Sequence, residues 1–200
     1  MALGTAAATA SYEQRFDSGR ICLDLLATTH PEERLDAVEP LRAWISGSGL
    51  VPAGTPLVAA DASWLVGFRE LRGHIGRLVR GEPSRDSRPF GIALARVNEL
   101  ARVAPPPAPR AVWDDEGSLV RALDGAPSCA ALLAAVARDA VELITDPVAR
   151  AGIRQCEGDN CPIVYLDTSR GRRRRWCSSE TCGNRERVAR HRRRAALARA

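Results

Sequence analysis

CEGDNC (residues 156–161) and CSSETCGNRERVARHRRR (residues 177–194) are the two stretches that decide how the C-terminal part of this chain folds. Each begins with a Cys-x4-Cys pair, and fifteen residues separate the two pairs. Four thiolates delivered by two tight turns are a common ligand set of structural zinc, and they leave no coordination position open for catalysis. The pattern therefore predicts one structural Zn²⁺ ion. Its predicted ligands are Cys156, Cys161, Cys177 and Cys182.

Two other interpretations of these cysteines stay open at this point. Four thiolates also bind iron–sulfur clusters, and the x4 spacing is wider than the common x2 knuckle. The cysteines could also be ordinary thiols without a metal. The remaining two, Cys22 and Cys129, fall on apolar helical faces, which favours a place in the core.

The N-terminal residues lack the charged start and apolar run of a secretory signal, and no stretch is long and apolar enough for a membrane span. We therefore expect a cytoplasmic protein without a membrane partner. In that reducing compartment, paired cysteines are more often metal ligands than disulfides.

Charge is distributed unevenly along the chain. Residues 154–200 contain thirteen arginines and five acids, a balance of +8, whereas residues 1–153 contain sixteen arginines and nineteen acids, a balance of −3. Together these give the net charge of +5. A basic tail on a nearly neutral body is typical of a nucleic-acid-binding protein, and we expect association with the nucleoid.

Apolar residues recur at helical spacing in four segments between residues 18 and 103, and again after Ser128. Asp61 or Ser63 is expected to cap the third helix, and residues 110–123 predict a β-hairpin. Residues 1–17 are expected to be a loose lead-in. The predicted fold is mainly α, with a helical N-terminal domain containing one hairpin and then a small four-cysteine zinc finger. We place the domains at 1–150 and 151–200.

Within the finger, the sequence predicts a hairpin followed by a basic helix. PIVYLD (residues 162–167) is β-prone, and RRRRWC (residues 172–177) is expected to return beside it. Gly183 is expected to take a positive φ or to allow a close backbone approach. Asn184 is expected to cap a helix that starts at Arg185.

The arginines of the finger have two possible roles. Some of residues 172–175 are expected to offset the charge of −2 on a zinc ion with four thiolates. The others are expected to bind phosphate, which guanidinium groups contact bidentately. Trp176 is expected to pack in the module core rather than stack on a base. The predicted nucleic-acid contacts are Arg172, Arg173, Arg174, Arg175, Arg185, Arg187, Arg190 and Arg194.

WCSSETCGNR (residues 176–185), preceded by VYLDTSRGRRRR (residues 164–175), resembles the CGNR zinc finger. GRICLDLLATT (residues 19–29) is similar to the opening motif of the ABATE domain, which usually precedes this finger. The chain has Ala27-Thr28 where members commonly have Asn-Thr, and Ser179 where they have Met. The resemblance implies a bacterial, stress-induced transcription regulator with an N-terminal sensor domain.

The predicted function is therefore a zinc-dependent, DNA-binding transcription regulator, not an enzyme. Its N-terminal domain is expected to sense a small-molecule effector or to mediate homodimer formation. An RNA- or ribosome-associated zinc protein and a thiol or metal redox sensor are the alternatives. Catalysis has little support, because the three histidines are scattered and no phosphate-binding glycine loop is present.

Overall fold

A computed structural model describes residue 14 and residues 16–84 and 86–197, and most of the predicted N-terminal lead-in lies outside these residues. The predicted mainly α class is confirmed. In the described part, none of the helices is long and apolar enough to cross a bilayer. The first elements are α1 (Ile21–Ala27), α2 (Val38–Gly47), α3 (Ala62–Arg80), α4 (Arg88–Val103), the antiparallel hairpin β1 (Pro109–Trp113) and β2 (Leu119–Leu123), α5 (Cys129–Thr145) and α6 (Pro147–Ala151).

The predicted helix starts are confirmed at two caps. The Asp61 carboxylate accepts hydrogen bonds from the backbone N–H groups of Ser63 (2.9 Å) and Trp64 (3.3 Å), so Asp61 and not Ser63 caps α3. The Ser128 hydroxyl accepts from Ala131 N at 3.2 Å and caps α5. Such caps satisfy N–H groups that the first helical turn leaves without partners.

An aliphatic core joins α1 to α5. Helices α3, α4 and α5 pack on one another, and α1 packs on α3 and α5. The buried rings of Trp44 and Phe68 meet edge to face, with centroids 5.7 Å apart. Cys22 is buried in this core, as predicted.

Helix α1 is short, and polar contacts hold its N-terminal end. Arg20 Nε and Cys22 N donate to the two carboxylate oxygens of Asp139 on α5, at 2.7 and 3.0 Å. The buried Asp24 accepts from Ser18 N at 2.9 Å. Burial raises the pKa of Asp24 to about 6, against this hydrogen bond.

The finger hairpin consists of β3 (Ile153–Gln155) and β4 (Val164–Leu166), with Ile153 opposite Leu166. The expectation that residues 172–177 return beside β4 is wrong. The Asp167 carboxylate accepts from Ser169 N at 2.9 Å and Arg174 N at 3.0 Å, which folds this segment into a turn. Arg172 also has a φ of 48°, outside the extended region.

A π-helical turn (Ser179–Gly183) leads without a break into α7 (Asn184–Leu197). The Ser178 hydroxyl accepts from Glu180 N and Thr181 N, both at 3.2 Å, so Ser178 is the cap. The expectation that Asn184 caps the helix is wrong, because the helical turn begins five residues earlier. Gly183 has no positive φ, and a Cβ there would lie 3.5 Å from its nearest neighbour, an ordinary contact.

The finger packs against the helices. Leu166 N of β4 donates to Ser18 O at 2.8 Å. Val164 is buried in the same core as α1 and α3, and Ala27 of α1 is buried among the cysteines of the finger. Helix α1 therefore lies between the helical core and the cysteine cluster.

Candidate metal centre and nucleic-acid interface

The four paired cysteines converge on one point. Their sulfur atoms all lie within 4.8 Å of one another, and all four residues are buried. The Cys161–Cys177 and Cys177–Cys182 sulfur distances are 3.7 and 3.6 Å. A tetrahedron of Zn–S bonds of about 2.3 Å has edges of about 3.8 Å, whereas a disulfide bond is about 2.05 Å long. The cluster therefore fits one tetrahedral metal ion.

The first knuckle follows β3 directly. Cys156 N donates to Ile163 O at 2.9 Å, and Cys161 N donates to Gly158 O at 3.1 Å, which closes a tight turn. A Cβ at Gly158 would lie 3.1 Å from Cys182 Cβ and 3.3 Å from its sulfur. Gly158, and not Gly183, is thus the glycine that the close approach of the two knuckles requires.

Backbone N–H groups donate hydrogen bonds to the sulfur of Cys156 and favour its thiolate form. Burial raises the pKa of the Cys156 thiol, but hydrogen bonds from Cys177 N (3.3 Å) and Gly158 N (3.4 Å) bring it below its usual value. Burial raises the pKa of Cys182 to about 11 and that of Cys161 still further. A metal ion binds cysteine as the deprotonated thiolate. Its positive charge would therefore stabilise the thiolates that burial disfavours.

A model of the ABATE family, described as a putative stress-induced transcription regulator, matches residues 19–147. The chain belongs to the ABATE family. A model of the CGNR zinc finger matches residues 153–195, so the predicted order of the two is confirmed. No curated protein matches the chain. With the four converging cysteines, the finger match supports the predicted structural zinc ion.

One arginine of the ABATE-family chain is committed to the finger itself. The Arg174 guanidinium lies 4.5 Å from the centre of the Tyr165 ring and donates to Trp176 O at 2.9 Å, and also to Cys177 O. It also donates to Asp17 O at 3.1 Å. Tyr165 Oη in turn donates to Arg174 O at 2.5 Å. These contacts hold the second knuckle, so Arg174 serves the metal site, while the charge compensation expected of this run stays a prediction.

The other predicted arginines are exposed. Arg175 Nε donates to Glu157 Oε2 at 2.6 Å, and its guanidinium lies 5.2 Å from the centre of the Trp176 ring. Arg187 donates weakly to Ser179 O at 3.4 Å. Trp176 is partly buried against the cysteines, as expected of a residue in the module core. The remaining exposed arginines of the predicted set are Arg172, Arg173, Arg185, Arg190 and Arg194.

Sequence reasoning left out three residues of this region. Arg192 and Arg193 are also exposed on α7. The arginine-rich sequence around them could have placed them among the predicted nucleic-acid contacts. Ala27 lies more than a hundred positions before the cysteines that bury it, and its pattern predicted only a helix.

Proposed function

We propose that this ABATE-family protein is a zinc-dependent DNA-binding transcription regulator. In this proposal residues 151–200 bind DNA in the nucleoid, while residues 1–150 sense a ligand or mediate dimer formation. Both family matches are of regulatory or zinc-finger type, which supports a regulator rather than an enzyme.

The observation that carries the proposal is the surface of α7. Residues 184–197 contain six arginines and one glutamate, and all six arginines are exposed. A helix with so many like charges at i, i+3 and i+4 is destabilised by their repulsion. Phosphate groups would remove that repulsion, and an α-helix fits the major groove of B-DNA.

The cysteine cluster gives this helix a fixed starting point. Cys182 lies within the π-helical turn that continues into α7, and Cys156 follows β3. When bound, zinc would cross-link these two segments and supply folding free energy. The fixed start of α7 would then set the direction in which its arginines project.

The proposed phosphate contacts differ in one residue from those expected from sequence. Arg174 is left out, because its guanidinium is already bonded to carbonyl oxygens of the chain. Arg175 is kept, since its pair with Glu157 is exposed and such pairs contribute little free energy. The proposed set is Arg172, Arg173, Arg175, Arg185, Arg187, Arg190 and Arg194.

The test is selection of a random duplex DNA pool on the zinc-loaded full chain at near-physiological salt, followed by sequencing. An enriched motif that disappears on chelation of zinc supports sequence-specific regulation. Retention without enrichment that falls steeply with salt would show phosphate binding alone. Tighter binding of folded RNA than of any duplex would replace the proposal with an RNA-associated role.

We further propose that the DNA-binding form is a homodimer, because a single finger offers few base contacts. The β1–β2 hairpin supports a second copy as partner. Its opposed residues Trp113 and Leu119 are 70% and 62% exposed. Sedimentation of the chain with and without DNA tests this, and a monomer in both samples would refute it.

A further inference from the structure

A cleft of about 920 Å³ lies between α3, the end of α1 and the start of α4. This volume is in the range of pockets that bind small molecules. All of its lining residues precede Cys156, the first cysteine of the metal cluster, and the lining includes none of the four cysteines. Its cationic lining residues are Arg69, Arg72, Arg77 and Arg80.

Two glycines open the face of α3 that lines this cleft. Arg69, Gly73, Gly76 and Arg80 follow one another at spacings of four, three and four residues, so they share a helical face. A Cβ at Gly73 would meet no atom within 4 Å, and one at Gly76 would lie 3.0 Å from Arg80 Nη1. Glycine inside a helix is destabilising. Here it leaves open space and lets the Arg80 guanidinium fold back over the helix.

Two of the four arginines in the cleft have an acidic partner, and the other two have none among the described residues. Arg72 donates to both carboxylate oxygens of Glu33, at 2.8 and 2.5 Å, and Arg69 Nε is 4.0 Å from the same carboxylate. In the described residues, Arg77 and Arg80 form no ion pair, and Glu82 is the acid in the lining. Partial burial lowers the pKa of Arg80, because it disfavours the charged guanidinium.

The rest of the lining is apolar or donates hydrogen bonds. Leu26, Pro89 and Phe90 form apolar walls. Ser87, the residue before α4, makes no side-chain capping bond, so the positive end of this 16-residue helix faces the cleft without an acceptor from its cap residue. Cationic and apolar groups thus face the same space.

We propose that this cleft binds a small organic anion, with a carboxylate or phosphate group on Arg77 and Arg80 and an apolar body against Leu26 and Phe90. The binding itself stands on the cleft alone. Its meaning as the effector site rests on the proposed regulatory function. Helix α1 offers a physical connection, since Leu26 lines the cleft and the adjacent Ala27 is buried among the cysteines.

The test is NMR titration of the ¹⁵N-labelled, zinc-loaded full chain, which resolves the cleft from the basic finger. Four probes separate the contributions: phenyl phosphate, benzoate, inorganic phosphate and benzyl alcohol. Phenyl phosphate or benzoate is expected to shift the amide resonances of Gly73, Gly76 and Phe90. Its dissociation constant is expected to be about tenfold or more below those of inorganic phosphate, which lacks the ring, and benzyl alcohol, which lacks the charge. Whichever of the two anions binds more tightly identifies the anionic group.

Three variants locate the site. Arg80→Gln is expected to weaken binding about tenfold, because a hydrogen bond to a charged group is lost. Gly73→Leu fills the open space with a better helix former, so the chain stays folded and binding is expected to be lost. The control is Arg102→Gln, which removes an exposed arginine from the distant end of α4 and is expected to leave binding unchanged.

Shifts confined to the arginines of α7, or binding that survives Gly73→Leu, would overturn the proposal, as would the absence of cleft shifts with all four probes. DNA retention is measured on the same samples. If the probes shift the cleft resonances but the chain does not bind DNA, the proposed function alone is refuted. If the chain binds DNA but no probe shifts the cleft resonances, this inference alone is refuted.

Discussion

Replacement of Arg174 by glutamine separates a structural arginine from a phosphate contact. From sequence, Arg174 belongs to the same basic run as Arg173 and was expected to contact nucleic acid. In the structure its guanidinium donates to Trp176 O and Cys177 O and stacks on Tyr165. We therefore expect Arg174→Gln to weaken zinc binding first, and DNA binding only as a consequence.

The magnitude follows from the lost hydrogen bonds. A hydrogen bond that involves a charged group contributes roughly 1.5–3 kcal/mol. Arg174 is partly exposed, so the low end applies, and the two bonds to the second knuckle together contribute about 3 kcal/mol. Because zinc binding and folding of such a finger are coupled, this loss lowers the zinc affinity roughly 100-fold.

Competition with a chromophoric chelator measures the zinc affinity of the full chain, and Arg173→Gln is the matched control. Arg173 is adjacent and exposed, so its replacement is expected to leave zinc affinity unchanged and to reduce the salt slope of DNA binding by about one. A variant Arg174→Gln that keeps the zinc affinity of the unaltered chain within about threefold while losing DNA affinity would refute the structural role. Arg174 would then be a phosphate contact after all.

Three further predictions concern the cluster and the core. Cys177→Ser is expected to release zinc and unfold the finger while the helices remain folded at a lower melting temperature, measured by metal analysis and circular dichroism; retained metal would contradict this. Gly158→Ala is expected to lower zinc affinity about tenfold, because its Cβ crowds Cys182, and unchanged affinity in the chelator assay would refute the crowding. The Asp24 carboxyl has a pKa of about 6 in the folded state, raised from 3.8, so it binds its proton more tightly in the folded chain than in the unfolded chain. The folded chain is therefore expected to lose stability as the pH rises from about 4 to 6, and Asp24→Asn should remove this loss. The variant's gain in unfolding free energy, measured in urea, should grow through this window to about 3 kcal/mol and then stay level; a pH-independent difference would refute it.

The local features of the fold could be predicted from sequence because their causes are local. A cap such as Ser128 lies next to the helix that it starts, and the paired cysteines stand at fixed spacing within their own turns. The helices, the β1–β2 hairpin and the four-cysteine cluster follow from such short-range patterns.

The features that could not be predicted depend on contacts distant in sequence or on a competing local bond. β4 pairs with residues 153–155, which precede the first knuckle, because Asp167 binds Arg174 N and turns the arginine run away from the sheet. The cap at Ser178 displaced the one expected at Asn184, since both residue types are good caps and only the folded chain decides between them. The cleft was missed for a similar reason. Glycines within a helix predict a less stable helix, whereas the open space beside them depends on how the helix packs in the folded chain.

Ala27 connects these features, and its replacement by valine tests whether the finger and the helices fold as one unit. Ala27 is 4% exposed among the cysteines and Tyr165, so two added methyl groups have no free space there. Overpacking of this kind costs about 1–3 kcal/mol, which should lower zinc affinity about tenfold. Ala95→Val, on the exposed face of α4, controls for the lower helix propensity of valine and should leave zinc affinity unchanged. If both variants bind zinc as the unaltered chain does, the finger folds independently of α1, and the helix cannot carry a signal from the cleft to the metal centre.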